Sequence, residues 1–279
     1  DYLNRALTNL KTASSSIIEY ENQNKELEYE EKKEYNDALE VKAESKYILD
    51  TGIDINKTDS LKGILQNFYS QFGIFLIVVI VMIAGTIVSE ESNKGTIKLL
   101  LVKPYTRNKI LLSKFITTLI MIAFVIITTI IMQILVGGIL FGFESLEVPV
   151  IAYNFSTNVL EEINIFMYLG IQTLTQLPMI ILLGTLAFAI STIFSNSALA
   201  ITISLLGYMS TSIINQLIIG YNLSYMKYFV TMNWDLSQYL FGNLPSMQGM
   251  NITMSIITCI IYLLVMLIPT FIIFKKRNI

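Results

Sequence analysis

Residues 75–114 read FLIVVIVMIAGTIVSEESNKGTIKLLLVKPYTRNKILLSK. The first fourteen carry no charge, and the aliphatic run is interrupted only by Gly85 and Thr86. The last 25, Glu90 to Lys114, hold six of the chain's nineteen Lys and Arg residues. Immediately afterwards, FITTLIMIAFVIITTIIMQIL returns to apolar sequence. A helix crossing the hydrocarbon core of a bilayer needs about 20 predominantly apolar residues. The pattern is therefore span, short basic loop, span, and it predicts an all-α, polytopic membrane bundle.

The rest of the chain repeats this logic. Residues 63–89, 115–143, 163–226 and 236–274 contain no charged side chain. Only 14% of the 279 residues are charged, against about a quarter in a soluble domain. The tracts predict five spans, at about 68–89, 115–141, 165–194, 198–219 and 252–274. Pro178 lies inside the third, which predicts a kink or an interfacial lead-in before it. With a single cysteine, Cys259, and no histidine, an internal disulfide framework is excluded and a Cys/His metal site is close to excluded.

Residues 1–50 contain no Gly or Pro and are rich in Glu, Lys, Leu and Ala. Leu3, Leu10 and Ile17 recur every seven residues, as do Ala6, Ala13, Tyr20 and Leu27. This is coiled-coil-like helix. The pattern fades through EEKKEYND, which predicts two helices with a turn near Glu21–Lys25. DTGIDINKTDS (residues 50–60) ends the region. The expected organisation is a helical hairpin over 1–60 and a transmembrane domain over 61–279.

Orientation follows the Lys and Arg of short loops. Six lie in 90–114 and three at the C-terminal KKR, against none in 143–164 and only Lys227 in 220–251. The basic loop and the C-terminus are thus expected inside, and the N-terminal hairpin outside. An odd span count with an outer N-terminus predicts one further span before residue 1. Within the basic loop, Ile97 and Leu99–Val102 alternate with Lys98 and Lys103, Pro104 breaks the run, and TRNKILLSK restarts helix. Such a segment lies along a membrane surface. Positive-inside topology alone also accounts for these charges.

The loop resembles the cytoplasmic loop of ABC-2-type exporter permeases. The elements that carry the likeness are the acidic start Glu90 and Glu91, the pair Gly95 and Thr96, the Leu-rich segment with Leu99, Leu100 and Leu101, the turn Pro104–Arg107, and the Lys-ended helix Lys109–Lys114. The rest of the resemblance is architectural and covers about residues 68–279. It includes an aromatic segment before the last span, with Tyr221, Tyr225, Tyr228, Trp234 and Tyr239. Composition reads these as an interfacial belt; in the family the region forms short re-entrant helices that close the outer mouth. The resemblance implies a permease in the bacterial cytoplasmic membrane that forms a homodimer or heterodimer and binds ABC ATPase subunits through residues 90–114. Lys98, Lys103, Arg107 and Lys109 are expected to pair with acidic residues of the ATPase, with Leu99–Val102 in its groove. ATP and Mg would be held by that partner, consistent with the absence of a GxxxxGK[ST] loop from this chain. The chain is expected to bind no cofactor, metal or nucleic acid itself, and to have no catalytic residues.

Proton coupling requires ionisable groups within the membrane, and the tracts lack them. Thr117, Thr118, Thr128, Thr129, Gln133, Gln172, Thr173, Thr175 and Gln176 could line a channel or bond between helices; packing is the preferred reading. Uncharged spans suggest an apolar or amphipathic substrate: a lipid-like molecule, a drug or an antimicrobial peptide, hence efflux or resistance. A sodium exporter of the same family and an envelope sensor or docking protein are the alternatives. Gly138 and Gly142 form a GxxxG, a pattern that lets helices approach and a candidate packing or dimer contact.

Overall fold

The computed structural model describes residues 2–22, 26–93 and 106–276. The described chain is mostly helical and forms two compact units: Asp1–Asn67, Ile134–Gln172 and Ser237–Gly249; and Phe68–Gln133, Thr173–Leu236 and Met250–Ile279.

In the first unit, α1 (Tyr2–Asn22) and α2 (Tyr29–Thr51) form an antiparallel hairpin. The pairing is fixed at both ends. The Tyr2 hydroxyl donates to the Gly52 carbonyl at 2.6 Å, and the Tyr20 and Tyr35 rings meet edge to face at 6.2 Å. Glu28 and Glu31 close a capping box at the start of α2, and Gly52 ends it with φ 70°. Of the two heptad sets, Ala6 and Ala13 are buried along with Ile17, while Leu3 stands 41% exposed. Small residues on the inner face permit close approach of the two helices.

The all-α expectation is corrected at one place among the described residues. Strands β1 (Val150–Asn154) and β2 (Val159–Ile163) form an antiparallel hairpin, with Val150 opposite Ile163 and Asn154 opposite Val159. The Asn154 carboxamide oxygen accepts from the amides of Ser156 and Thr157, an Asx turn that reverses the chain. Ile151 on β1 joins a core with Ala6, Ile48 and Ile55, and Tyr47 donates to Glu162 at 2.9 Å. Helical hairpin and strand hairpin thus share a core. The short α3 (Leu61–Gln66) is capped by Ser60, whose hydroxyl accepts from the Gly63 amide.

The second unit contains α4 (Phe68–Thr86), α5 (Ser89–Asn93), most of α6 (Arg107–Phe141) and of α7 (Ile165–Phe194), then α8 (Ser197–Met209), α9 (Thr211–Gly220), α10 (Val230–Asn233) and α11 (Ile252–Lys276). Five helical stretches, Phe68–Glu91, Arg107–Phe141, Ile165–Phe194, Ser197–Gly220 and Ile252–Lys276, are long and apolar enough to cross a membrane. Each contains one of the five predicted spans, and the second begins eight residues before its expected start, at Arg107 rather than Phe115. The third runs as one helix through Pro178. The fourth divides at Ser210, whose hydroxyl bonds back to the Gly207 carbonyl at 3.0 Å.

The core of this unit packs Ile77, Val81 and Ala84 of α4 against Leu111 and Phe115 of α6, Leu183 and Phe188 of α7, and Phe274 of α11. A Cβ on Gly85 would stand 3.1 Å from Ile201, so this glycine lets α4 and α8 approach closely. The threonines of the second span bond within their own helix. Thr117, Thr118 and Thr129 donate to the carbonyls of Ser113, Lys114 and Val125, so the expected bonds between helices are not made by these three.

Candidate functional site

Two clusters of polar groups lie in the second unit. The first gathers where α4 ends, α6 begins and α11 ends. Glu90 and Glu91 occupy the first turn of α5. The Lys114 ammonium pairs with the Glu91 carboxylate, and both side chains are about three-quarters buried. The Arg107 guanidinium donates to the Lys275 carbonyl at 3.4 Å. Lys109 projects into solvent. Helix α6 is seated here by Leu111 and Phe115, one turn apart on its inner face, and the Phe115 and Phe188 rings lie 5.4 Å apart. The structure thus brings together both flanks of the basic loop and the basic C-terminal turn of α11. Gly95, Thr96, Lys98, Leu99, Leu100, Leu101, Lys103 and Pro104 lie outside the described residues.

The other glycine pair is used within the chain. A Cβ on Gly138 would fall 2.1 Å from the Phe143 ring, and Gly142 has φ 76° just past the end of α6. Gly138 accommodates the aromatic residue that follows the helix, and Gly142 supplies the left-handed conformation that ends it.

The second cluster lies in the aromatic segment before the last span and includes Gln176, one of the residues expected to bond between helices. The segment folds as a 3-10 turn (Ser224–Tyr228) followed by α10. Thr231, Met232, Asn233 and Trp234 are buried, whereas Tyr221, Tyr225 and Tyr228 are exposed. Trp234, at 6% exposure, is a core residue and does not belong to the predicted aromatic belt. The α10 segment grips three spans. The Thr231 hydroxyl donates to the Asn215 carboxamide oxygen on α9 at 2.5 Å. The Gln176 amide on α7 donates to Asp235 at 2.8 Å. Ser255 on α11 donates to the Asn233 carboxamide oxygen at 2.8 Å, and the Cys259 thiol reaches the Asn233 carbonyl at 3.5 Å. Asn233 is completely buried, and its NH2 group donates to the Lys227 and Phe229 carbonyls at 2.7 and 2.8 Å. The spacing of Asn233, Asp235 and Ser255 carries no recognisable signature.

The first unit holds a separate titratable group of residues. Burial, and then the nearby Glu40 carboxylate, push Glu44 up to about 7, partly opposed by the Lys62 ammonium. Burial lowers Lys62, whose ammonium donates to the Ile55 carbonyl at 3.3 Å. Among the described residues no group of three or more His, Cys, Asp or Glu side chains could hold a metal ion.

The family described as "Protein of unknown function (DUF2705)" matches residues 33–279, nearly nine-tenths of the chain. The chain belongs to the DUF2705 family. The match begins inside α2 and takes in both polar clusters. Two relatives come from Bacillus subtilis (strain 168). "Uncharacterized protein YhcI" is 33% identical over 213 residues, covering 76% of this chain and 66% of that protein. "Uncharacterized membrane protein YdbK" is 27% identical over 218 residues, covering 76% of this chain and 81% of that protein. The chain thus spans just under two-thirds of YhcI. No solved structure matches it. Five apolar helices and a relative described as a membrane protein make this DUF2705 member a multi-pass membrane protein.

Proposed function

We propose that this DUF2705 protein is the permease subunit of an ATP-driven exporter of the ABC-2 type, moving an apolar or amphipathic molecule across the cytoplasmic membrane. The observation that carries the reading is the meeting of both basic segments at one end of the second unit. Arg107 bonds to Lys275 and Lys114 to Glu91 there, while the spans that depart from this end carry no charge along their apolar tracts. Positive charge of that density belongs on the cytoplasmic side. In this reading residues 90–114 dock a separate ATPase chain, which supplies ATP and Mg. The N-terminal hairpin lies outside the cell, and two permeases assemble around the ATPase pair. The α10 segment supports the same reading, because short helices inserted between spans resemble the closed outer mouth of such permeases.

The test is co-purification with the ATPase encoded by a neighbouring reading frame. Leu100→Asp, or Lys103→Glu with Arg107→Glu, should abolish capture of the ATPase while leaving membrane insertion intact. Undiminished capture by the double charge reversal would remove the loop's assigned role, and absence of any such neighbouring frame would weigh against the whole reading. A second reading, an envelope docking protein, draws on the first unit having a core of its own; it predicts that the hairpin recruits a partner without any ATPase.

A further inference from the structure

Helix α11 is bonded to the basic cluster at its C-terminal end and carries an open groove at the other. Asn251, Thr253, Met254, Ile257, Thr258 and Ile261 line it together with Tyr228, enclosing about 570 Å³. Met254, Ile257 or Thr258, and Ile261 are three or four residues apart and share one face of the helix. The groove is graded. Asn251 and Thr253 stand at the start of α11; Met254, Ile257 and Ile261 follow along the helix, with Ile257 and Ile261 each 53% exposed and Thr258 buried beside them. The polar end lies at the start of α11 and the apolar end runs along the span.

A cation adjoins one of the lining residues. The Lys227 ammonium lies 5.3 Å from the centre of the ring of Tyr228, a lining residue of the groove. Lys227 is the single basic residue between Lys114 and Lys275, and it forms no ion pair among the described residues. The Asn251 carboxamide oxygen is occupied as the cap of α11, accepting from the Met254 amide at 2.8 Å, so its NH2 is the group left to donate. No carboxylate lines the groove. Donors and a cation at the mouth, followed by aliphatic side chains, complement one ligand chemistry: an anionic head attached to an alkyl chain. The volume matches a headgroup and the first part of one chain.

We propose that this groove is a binding site for an anionic phospholipid, with the head phosphate at Lys227, Tyr228 and Asn251 and an acyl chain along Met254, Ile257 and Ile261. The site does not require the exporter reading, because it rests on the lining of α11 and on Lys227 alone. An anion near a surface lysine in a membrane gains enough to shift affinity about fivefold.

The experiment is native mass spectrometry of the full chain in detergent, titrated with phosphatidylglycerol, with phosphatidylcholine, and with glycerol phosphate as the head alone. The wild type should bind phosphatidylglycerol about fivefold more tightly than phosphatidylcholine. Lys227→Gln should erase that preference with phosphatidylcholine binding unchanged, Lys227→Arg should keep it, and glycerol phosphate should not compete. Ile257→Trp, which fills the groove, should weaken both lipids; a melting temperature equal to wild type certifies its fold. Equal binding of the two lipids by the wild type, an undiminished preference in Lys227→Gln, or competition by glycerol phosphate would each overturn the assignment.

Discussion

Asn233 offers the sharpest test of the α10 segment. Replacing it by alanine deletes two donated bonds, to Lys227 and Phe229, and one accepted from Ser255, all between 2.7 and 2.8 Å at a fully buried site. A buried hydrogen bond contributes about 1 kcal/mol net, and abandoned partners add to the loss. Asn233→Ala should therefore destabilise the protein by about 3 kcal/mol. The assay is reversible unfolding in mixed detergent, followed by the fluorescence of Trp234, the chain's single tryptophan. Ser255→Ala should cost about 1 kcal/mol, and the double variant should cost about 1 kcal/mol less than the sum, because the two share one bond. Asn233→Asp is nearly isosteric but has no NH2 to give to the two carbonyls. Ionised, it should be as damaging as alanine, and it should recover in part when acidified, because the protonated acid regains one donor. A loss below 0.5 kcal/mol for Asn233→Ala (roughly the noise of a surface change), or zero coupling to Ser255, would refute the account of α10 as a polar clasp.

Glu44 should make the first unit more stable in acid. Its carboxyl is pushed up to about 7 from an ordinary value of 4.5, so its contribution is complete below about 4.5 and is lost as pH rises through 7. Glu44→Gln should gain about 3 kcal/mol over wild type at pH 8 and nothing at pH 4, read by thermal melts at the two values; parallel pH profiles would count against it. Both polar atoms of the Gln133 carboxamide are buried without a hydrogen-bond partner among the described residues. Gln133→Leu should thus stabilise the protein by about 1 to 3 kcal/mol in the same unfolding assay. Gly85→Val should do the opposite, since even a Cβ meets the Ile201 side chain at 3.1 Å and valine adds two methyls beyond it; the expected loss is about 1 to 3 kcal/mol, with a lowered melting temperature.

The apolar helices were legible because the bilayer imposes one crude rule, length without charge, and the sequence obeys it five times. The N-terminal turn was legible from heptads that stop, and the helices break between Asn22 and Tyr29. What failed depended on partners distant in sequence. VIAYN and VLEEI flank a Phe-Ser-Thr-Asn turn that is a fair strand signal in retrospect, but inside a loop between spans it gave no reason to expect a hairpin. Its strands persist because Ile151 finds Ala6, Ile48 and Ile55. Trp234 fitted an interfacial belt by composition, yet the clasp around Asn233 carries it into the core. Of the predicted docking residues, Glu90, Glu91, Arg107 and Lys109 fall in the described chain.

Within the second unit α11 links the two polar clusters. Near its start it holds Asn233 through Ser255 and Cys259; near its end it accepts Arg107 at Lys275. Ser255 and Lys275 are twenty residues apart, about 30 Å along a helix. A packed helix moves as a rod unless its backbone ladder is interrupted, and the interruption here is Pro269, six residues before Lys275. Pro269 removes one backbone donor, and the neighbouring Thr270 hydroxyl bonds to the Met266 carbonyl at 2.6 Å. A displacement imposed at the basic end must therefore either pass through Pro269 to the clasp or be absorbed there. Pro269→Ala separates the cases: it restores the ladder and should stiffen the rod. If the basic end is where an ATPase pushes, nucleotide-dependent changes in Trp234 fluorescence should grow in Pro269→Ala when the proline acts as a hinge, and stay as in wild type when α11 already moves as one piece.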